Sequence, residues 1–408
     1  GTRCRAHAFP TALVPAAART PRQPACCHNK APRHQLQNYS TKTGTAFPAP
    51  SPGASTIAAG GTRAGDGADV VGRTISGEGV SSPVAAWLFG TAGAVAVMVT
   101  VGGITRMTKS GLSMTDWKVQ GSLPPTTEEE WEKEFDRYKA YPEWQQRRSM
   151  TLHEFKHIYF WEYAHRMLGR ALGLIYGLPL LYFGVRGRIP KHIRGRVAAL
   201  FALGGAQGLV GWWMVKSGLE NRNEDLAAGK EIRVSPYRLA AHLATAFATF
   251  SLLVHTGLQA LNGPRPATLP GSAQPLRDAG LLRYASRLRI GAAGVCAIAF
   301  VTAVSGAFVA GNDAGRCYNV FPKMTDEHWL PDEILALRPL WRNFFENSAT
   351  VQADHRILAL TTTAAAIGMF WYARRGAAGG ALWPKLPRTP KIATTATAAL
   401  VAGQVRET

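Results

Sequence analysis

Apolar residues run almost unbroken through six windows of this 408-residue chain, at about 84–104, 157–184, 196–215, 237–260, 288–310 and 351–373. Each approaches roughly 20 residues, the length at which a helix crosses the hydrocarbon core of a bilayer. A seventh run opens near Ile392. Inside lipid the backbone must satisfy its own hydrogen bonds, so the windows predict helices. The fold class that follows is all-α, a polytopic membrane helix bundle. The segments between windows separate by charge. Residues 185–196, 261–289 and 374–391 together carry fifteen Lys/Arg and one acidic residue, Asp278. Residues 105–156, 216–236 and 311–350 carry seventeen Lys/Arg against nineteen Asp/Glu. The positive-inside rule puts the first set, with the N-terminus, on the matrix or cytoplasmic side.

A mean hydropathy of −0.05 and a formal charge of +20 would suit a basic soluble protein. The charge, however, lies in short clusters between apolar runs and in the N-terminal arm, which argues against nucleic acid as a partner. The first 65 residues contain no Asp or Glu and eight Lys/Arg, among Ser, Thr, Ala and Pro. That composition predicts an organelle transit peptide and disordered arm over residues 1–75, with no secretory h-region. Five cysteines, at 4, 26, 27, 296 and 317, make no disulfide framework.

Three histidines lie a few residues inside the same end of alternate windows: His165, His242 and His355. An ionisable residue in a membrane span is costly and marks function. Neutral imidazoles on facing helices are suited to be axial ligands of a haem iron. His153, His157, His192, His255 and His328 fall in loops or at span ends and read as ordinary.

The halves resemble each other. Gly102-Gly-Ile-Thr-Arg106 closes the first window and Ser305-Gly-Ala-Phe-Val-Ala-Gly311 the fifth; His165-Arg166 answers His355-Arg356, and Gln207 answers Gln404. A pseudo-twofold repeat of four-helix units, related along the membrane normal, accounts for this. His242 follows Gln207 by 35 residues, so the repeat places a fourth histidine near position 439 (404 plus 35). An eighth span and a fourth histidine are therefore expected beyond Thr408, with the second unit incomplete in this chain.

The stretch Gly102 to Trp117 (GGITRMTKSGLSMTDW) resembles the signature after the first span of the haem A synthase family, in its mitochondrial and proteobacterial branch. So do Met150-Thr-Leu-His-Glu-Phe-Lys, Glu162-Tyr-Ala-His-Arg-Met, Gly211 to Leu219, Tyr237 to His242, Ser305 to Gly315 and Asp354-His-Arg356, in order over about residues 84–405. The resemblance implies a multi-pass mitochondrial inner-membrane enzyme, N-terminus in the matrix, that oxidises the C8 methyl of haem O to the formyl group of haem A for cytochrome c oxidase assembly. It implies an N-terminal four-helix unit over 84–260 whose His165 and His242 hold the substrate haem. It also implies a C-terminal unit over 288–408 whose His355 serves a resident haem b. Haem O would arrive from a haem O synthase and electrons leave through an unidentified carrier. Membrane lipid is a partner throughout, and a homo-oligomer is left open. The cysteine pair of some bacterial relatives is missing from the first loop.

Glu162 lies one turn before His165 and four residues before Arg166. It reads either as an i,i+4 ion pair or as a catalytic carboxylate beside the porphyrin edge. Arg166 and Arg356 are the candidates for haem propionates, or else snorkel to the interface. Arg106 and Arg238, with Lys216, are weaker candidates at the same level. Competing readings are a b-type electron-transfer cytochrome, against which stand three histidines at one face, and a truncated non-catalytic haem-binding or assembly protein. A secondary transporter is a distant third.

Overall fold

Seven long helices replace the seven apolar runs in the computed structural model, which describes residues 81–116, 118, 120–220, 231–262, 279–318, 320–376 and 379–406. They are α1 (Ser82–Met107), α3 (Leu152–Val185), α4 (Arg194–Leu219), α5 (Pro236–Asn262), α6 (Ala279–Gly311), α7 (Ser348–Arg375) and α8 (Arg388–Arg406). An eighth helix, α2 (Glu128–Lys139), stands in the loop after α1. No strand occurs among the described residues. The transit-peptide expectation over residues 1–75 falls outside them, as does Trp117.

Among the described residues, five helices are long and apolar enough to cross a membrane, the spans being Ser82–Met107, Leu152–Val185, Lys191–Leu219, Pro236–Asn262 and Ala279–Gly311. The two remaining expected spans form helices but fall short of that apolarity. In α7, Asp354, His355, Arg356 and the run Thr361–Thr363 interrupt the lipid-compatible surface, and α8 alternates alanine with threonine. At 28 residues and ~1.5 Å per residue, α7 still has the length to span.

Local chemistry sets the boundaries. Capping boxes start α2 (Thr127 with Glu130) and α3 (Thr151 with Glu154), each worth roughly 1 kcal/mol. The second box begins α3 five residues before the apolar window. Its first three turns therefore lie against α2 in an aromatic cluster of Phe135, Tyr138, Phe155, Ile158 and Tyr159. Pro179, inside α3, cannot donate to the carbonyl of Ile175. The indole of Trp87 on α1 donates to it instead, at 3.2 Å, and packs on Tyr176 and Phe183.

Helices α1, α3, α4 and α5 pack in a ring, each against two neighbours, which leaves α3 and α5 on a diagonal. The end away from the histidines is filled by Val84, Leu88, Tyr176, Phe183, Ile193, Val197 and Leu253. Helix α5 also packs against α6, α6 against α7, and α7 against α8. Ala240, Ala307, Phe308 and Val351 join α5, α6 and α7 near the histidine end.

Candidate functional site

Each of the three histidines rests on a glycine of a neighbouring helix. A Cβ on Gly102 of α1 would stand 2.9 Å from His165 Nε2. One on Gly211 of α4 would stand 3.1 Å from His242 Cε1, and one on Gly306 of α6 3.1 Å from His355 Cε1. Gly102 and Gly306 each lie five residues before the end of their helix, Met107 and Gly311, which is roughly 8 Å of rise. What these glycines approach is decided by the tertiary structure, which places imidazole rings against them.

His165 and His242 project from the diagonal helices α3 and α5 and are close enough to interact electrostatically. Nδ1 of His242 is buried without a hydrogen-bond partner. The backbone around it is fixed: Gln207 Nε2 donates to the His242 carbonyl at 2.8 Å, and Thr245 Oγ1 donates to Gln207 Oε1 at 2.6 Å. Two imidazoles on diagonal helices, each ring packed against a glycine of a neighbouring helix, are the donor set that suits an iron porphyrin. A bare metal ion fits less well, since no group of three or more His, Cys, Asp or Glu converges among the described residues. His355 shows the same glycine cradle, and Ser305 Oγ lies 2.7 Å from its Nδ1. His165, His242 and His355 would thus hold the haem groups.

Glu162 is 2 % exposed, with both oxygens engaged. Oε2 accepts from Ser113 Oγ at 2.7 Å and Met114 N at 2.8 Å; Oε1 accepts from Arg166 at 2.6 Å. The i,i+4 ion pair expected as one reading is present, and the loop after α1 is tied to it. The repeat equivalent is Gln352, whose Oε1 is buried without a partner.

The arginines beside the histidines grip loops. Arg166 donates to the carbonyls of Asp116 (2.9 Å) and Met114 (2.8 Å). Arg356 donates to those of Val320 (2.8 Å), Lys323 (3.0 Å) and Tyr318. Arg238 donates to Trp213 O at 2.8 Å and stacks on that indole, 4.6 Å from its centroid. Lys216 sits over Trp212.

Arg106 reaches out of the four-helix ring. It donates to Ala310 O and pairs with Asp313 at 2.8 Å. Arg233 takes the other carboxylate oxygen at 2.9 Å and donates to Gly311 O. Two cations thus meet the C-terminal carbonyls of α6, where a helix dipole favours them. Beside them Glu231 pairs with Lys109 and Arg316. Burial, the largest single influence on Glu231, raises its pKa, but Lys109, Asp313 and Arg233 together outweigh it and hold the carboxyl well below its ordinary value. Nothing in the sequence marked Asp313 as the partner of Arg106 and Arg233, because the two arginines meet it across 207 and 80 residues of chain.

One further acid lies under this end. Glu143, in the loop between α2 and α3, is buried, 3.5 Å from Arg147, with Oε2 unpartnered. Desolvation pushes its pKa up to about 7, against the pull of Arg147.

The profile of a family described as cytochrome oxidase assembly protein, COX15-CtaA, matches residues 85–406. Heme A synthase COX15 of Arabidopsis thaliana is 50% identical over 293 residues, 72% of this chain and 61% of that protein. Heme A synthase of Parvibaculum lavamentivorans is 44% identical over 297 residues, 72% of this chain and 79% of its own length. Heme A synthase COX15 of Homo sapiens is 44% identical over 324 residues, 79% of this chain and 73% of its own length. The chain thus spans about three fifths of the plant relative's length. No solved structure matches.

Proposed function

This chain belongs to the COX15-CtaA family of cytochrome oxidase assembly proteins, and on that premise we propose that it is a haem A synthase acting on the C8 methyl of haem O. The observation that carries the reading is the pair His165 and His242 on the diagonal helices α3 and α5, each ring packed against a glycine of a neighbouring helix. In this reading the pair holds haem O as substrate, and His355 serves a resident haem b. The protein lies in the mitochondrial inner membrane with its histidine end facing the intermembrane space, as the loop charges support.

Oxidation of a methyl to a formyl group takes two successive two-electron steps. With one water consumed, –CH3 becomes –CHO and releases four protons and four electrons. Resident haem, when bound, supplies a redox group for those electrons. The electron carrier and the haem O synthase that delivers substrate remain part of this proposal.

The chain's own residues orient and enclose. His165 and His242 would hold the porphyrin from the diagonal helices α3 and α5. Glu162 accepts three hydrogen bonds, so its oxygens are committed to the loop and Arg166. Its negative charge can offset positive charge developing at the substrate edge. Arg166 and Arg356 hold the loops that close this end, and a propionate would compete with loop carbonyls for them.

Haem extracted from the purified, detergent-solubilised protein and separated by chromatography tests the reading. Haem O with haem A is the expected result. Haem b alone supports the non-catalytic haem-binding alternative, and absence of any haem refutes both.

A further inference from the structure

The polar groups around His355 differ from those around its repeat equivalent. Ser305 Oγ is 2.7 Å from His355 Nδ1 and also 2.7 Å from the Thr302 carbonyl on its own helix. A hydroxyl has one proton to give and two lone pairs to offer. The carbonyl can only accept, so the Ser305 proton goes to Thr302. The hydroxyl oxygen then meets His355 as an acceptor, which requires the ring proton on Nδ1 and the lone pair on Nε2.

From this geometry we propose that Ser305 is a positioning residue that fixes His355 in its Nδ1–H tautomer and presents Nε2 as the iron-binding nitrogen. The proposal rests on the reading of His355 as a haem ligand. Gly306, the next residue, lets the ring lie against α6: its missing Cβ would stand 3.1 Å from Cε1 and 3.7 Å from Nε2. Serine and glycine together therefore set the height and the rotation of the imidazole.

The repeat shows what this arrangement adds. Matching Gly102 to Gly306 and His165 to His355 places Val101 opposite Ser305, Met98 opposite Thr302 and Leu172 opposite Thr362. At those three positions the first unit carries valine, methionine and leucine, none of which offers a hydroxyl. The second has a serine and two threonines, with Thr302 Oγ1 and Thr362 Oγ1 2.8 Å apart across α6 and α7. A hydrogen bond from the distal ring nitrogen raises the basicity of a ligating imidazole and fixes its orientation. His355 is thus built as the stronger donor, which stabilises oxidised iron and lowers its reduction potential. His165, with valine in that place, is the softer ligand. The asymmetry suits a second-unit haem that stays and cycles electrons, and a first-unit haem that enters and leaves.

The test titrates the purified protein with ferric protoporphyrin, following the optical spectrum and then the midpoint potential. Ser305→Val copies the first unit. It is expected to weaken porphyrin binding by roughly 10- to 100-fold and to move the midpoint upward. Ser305→Thr keeps the hydroxyl and is expected to restore both. Affinity and midpoint unchanged in Ser305→Val overturn the proposal. Equal losses in the Val and Thr variants overturn it too, since they would mark Ser305 as packing. His355→Ala is the separate control: binding and spectrum equal to wild type would refute the ligand reading itself, whatever Ser305 does.

Discussion

At residue scale, the glycines under the histidines act through what they lack. Gly102→Ala would put a methyl 2.9 Å from His165 Nε2, a separation that forces the ring to move. Gly103, its neighbour, has nothing within 4 Å of a built Cβ. Gly102→Ala should therefore lose most first-unit haem, measured as haem per protein after purification, while Gly103→Ala retains it. A second test concerns Glu143. Its folded pKa, about 7, lies above the ordinary 4.5 because burial disfavours the charge. The stability it lends is full below pH 4.5 and is lost as pH rises through 7. The 2.5-unit difference sets an upper scale of ~3 kcal/mol. Glu143→Gln should flatten that slope and raise the melting temperature at pH 8, read by fluorescence of the nearby Trp131 and Trp144. A slope equal to wild type would sink the assignment. The sequence showed Glu143 as one of nine acids over residues 105–156, with nothing to mark it as the buried one.

At the scale of elements, His-Arg pairs couple helices to loops. Each arginine projects from the helix that carries the preceding histidine and holds a loop at that end, Arg166 through Met114 and Asp116 and Arg356 through Tyr318, Val320 and Lys323. The planar guanidinium can meet several carbonyls at once, which an ammonium on a flexible stem cannot hold as rigidly. Arg356→Lys should leave α7 intact yet speed proteolysis of the 318–323 loop several-fold, without a matching loss of helical circular dichroism. An unchanged cleavage rate would refute the clamp. The sequence reading favoured haem propionates as the partners of these arginines. The hydrogen bonds to loop carbonyls were not legible, because a carbonyl is present at every residue and leaves no mark in composition or spacing. The helices themselves were legible, to within a few residues in most cases, since length and apolarity decide them locally. The early starts were the main misses, α6 beginning nine residues before its window (279 against 288) and α3 five before (152 against 157). The capping box of α3 and the aromatic docking of α2 extend that helix beyond the apolar run.

For the whole molecule, Asp313 joins the C-terminal end of α6 to Arg106 and Arg233 from the preceding elements. It sits at φ 50°, the left-handed region that Asp and Asn tolerate better than other side chains. Asp313→Asn therefore keeps the backbone and removes the charge. The partly exposed network should lose about 2 kcal/mol, seen as a lower denaturant midpoint in detergent. A midpoint within error of wild type would make the network decorative. The sequence by itself determined the apolar runs, the alternation of loop charge, the histidines at one end and the repeat that relates them, because each is a property of neighbouring residues or of simple spacing. Only the tertiary structure decided that α3 and α5 stand diagonally, that each histidine lies on a glycine, that Glu162 is occupied by the loop after α1, and that Ser305 rather than a valine faces the second-unit histidine. Those outcomes depend on which helix faces meet. Several packings bury similar apolar area, and the choice among them rests on close contacts and hydrogen bonds between residues dozens to hundreds of positions apart.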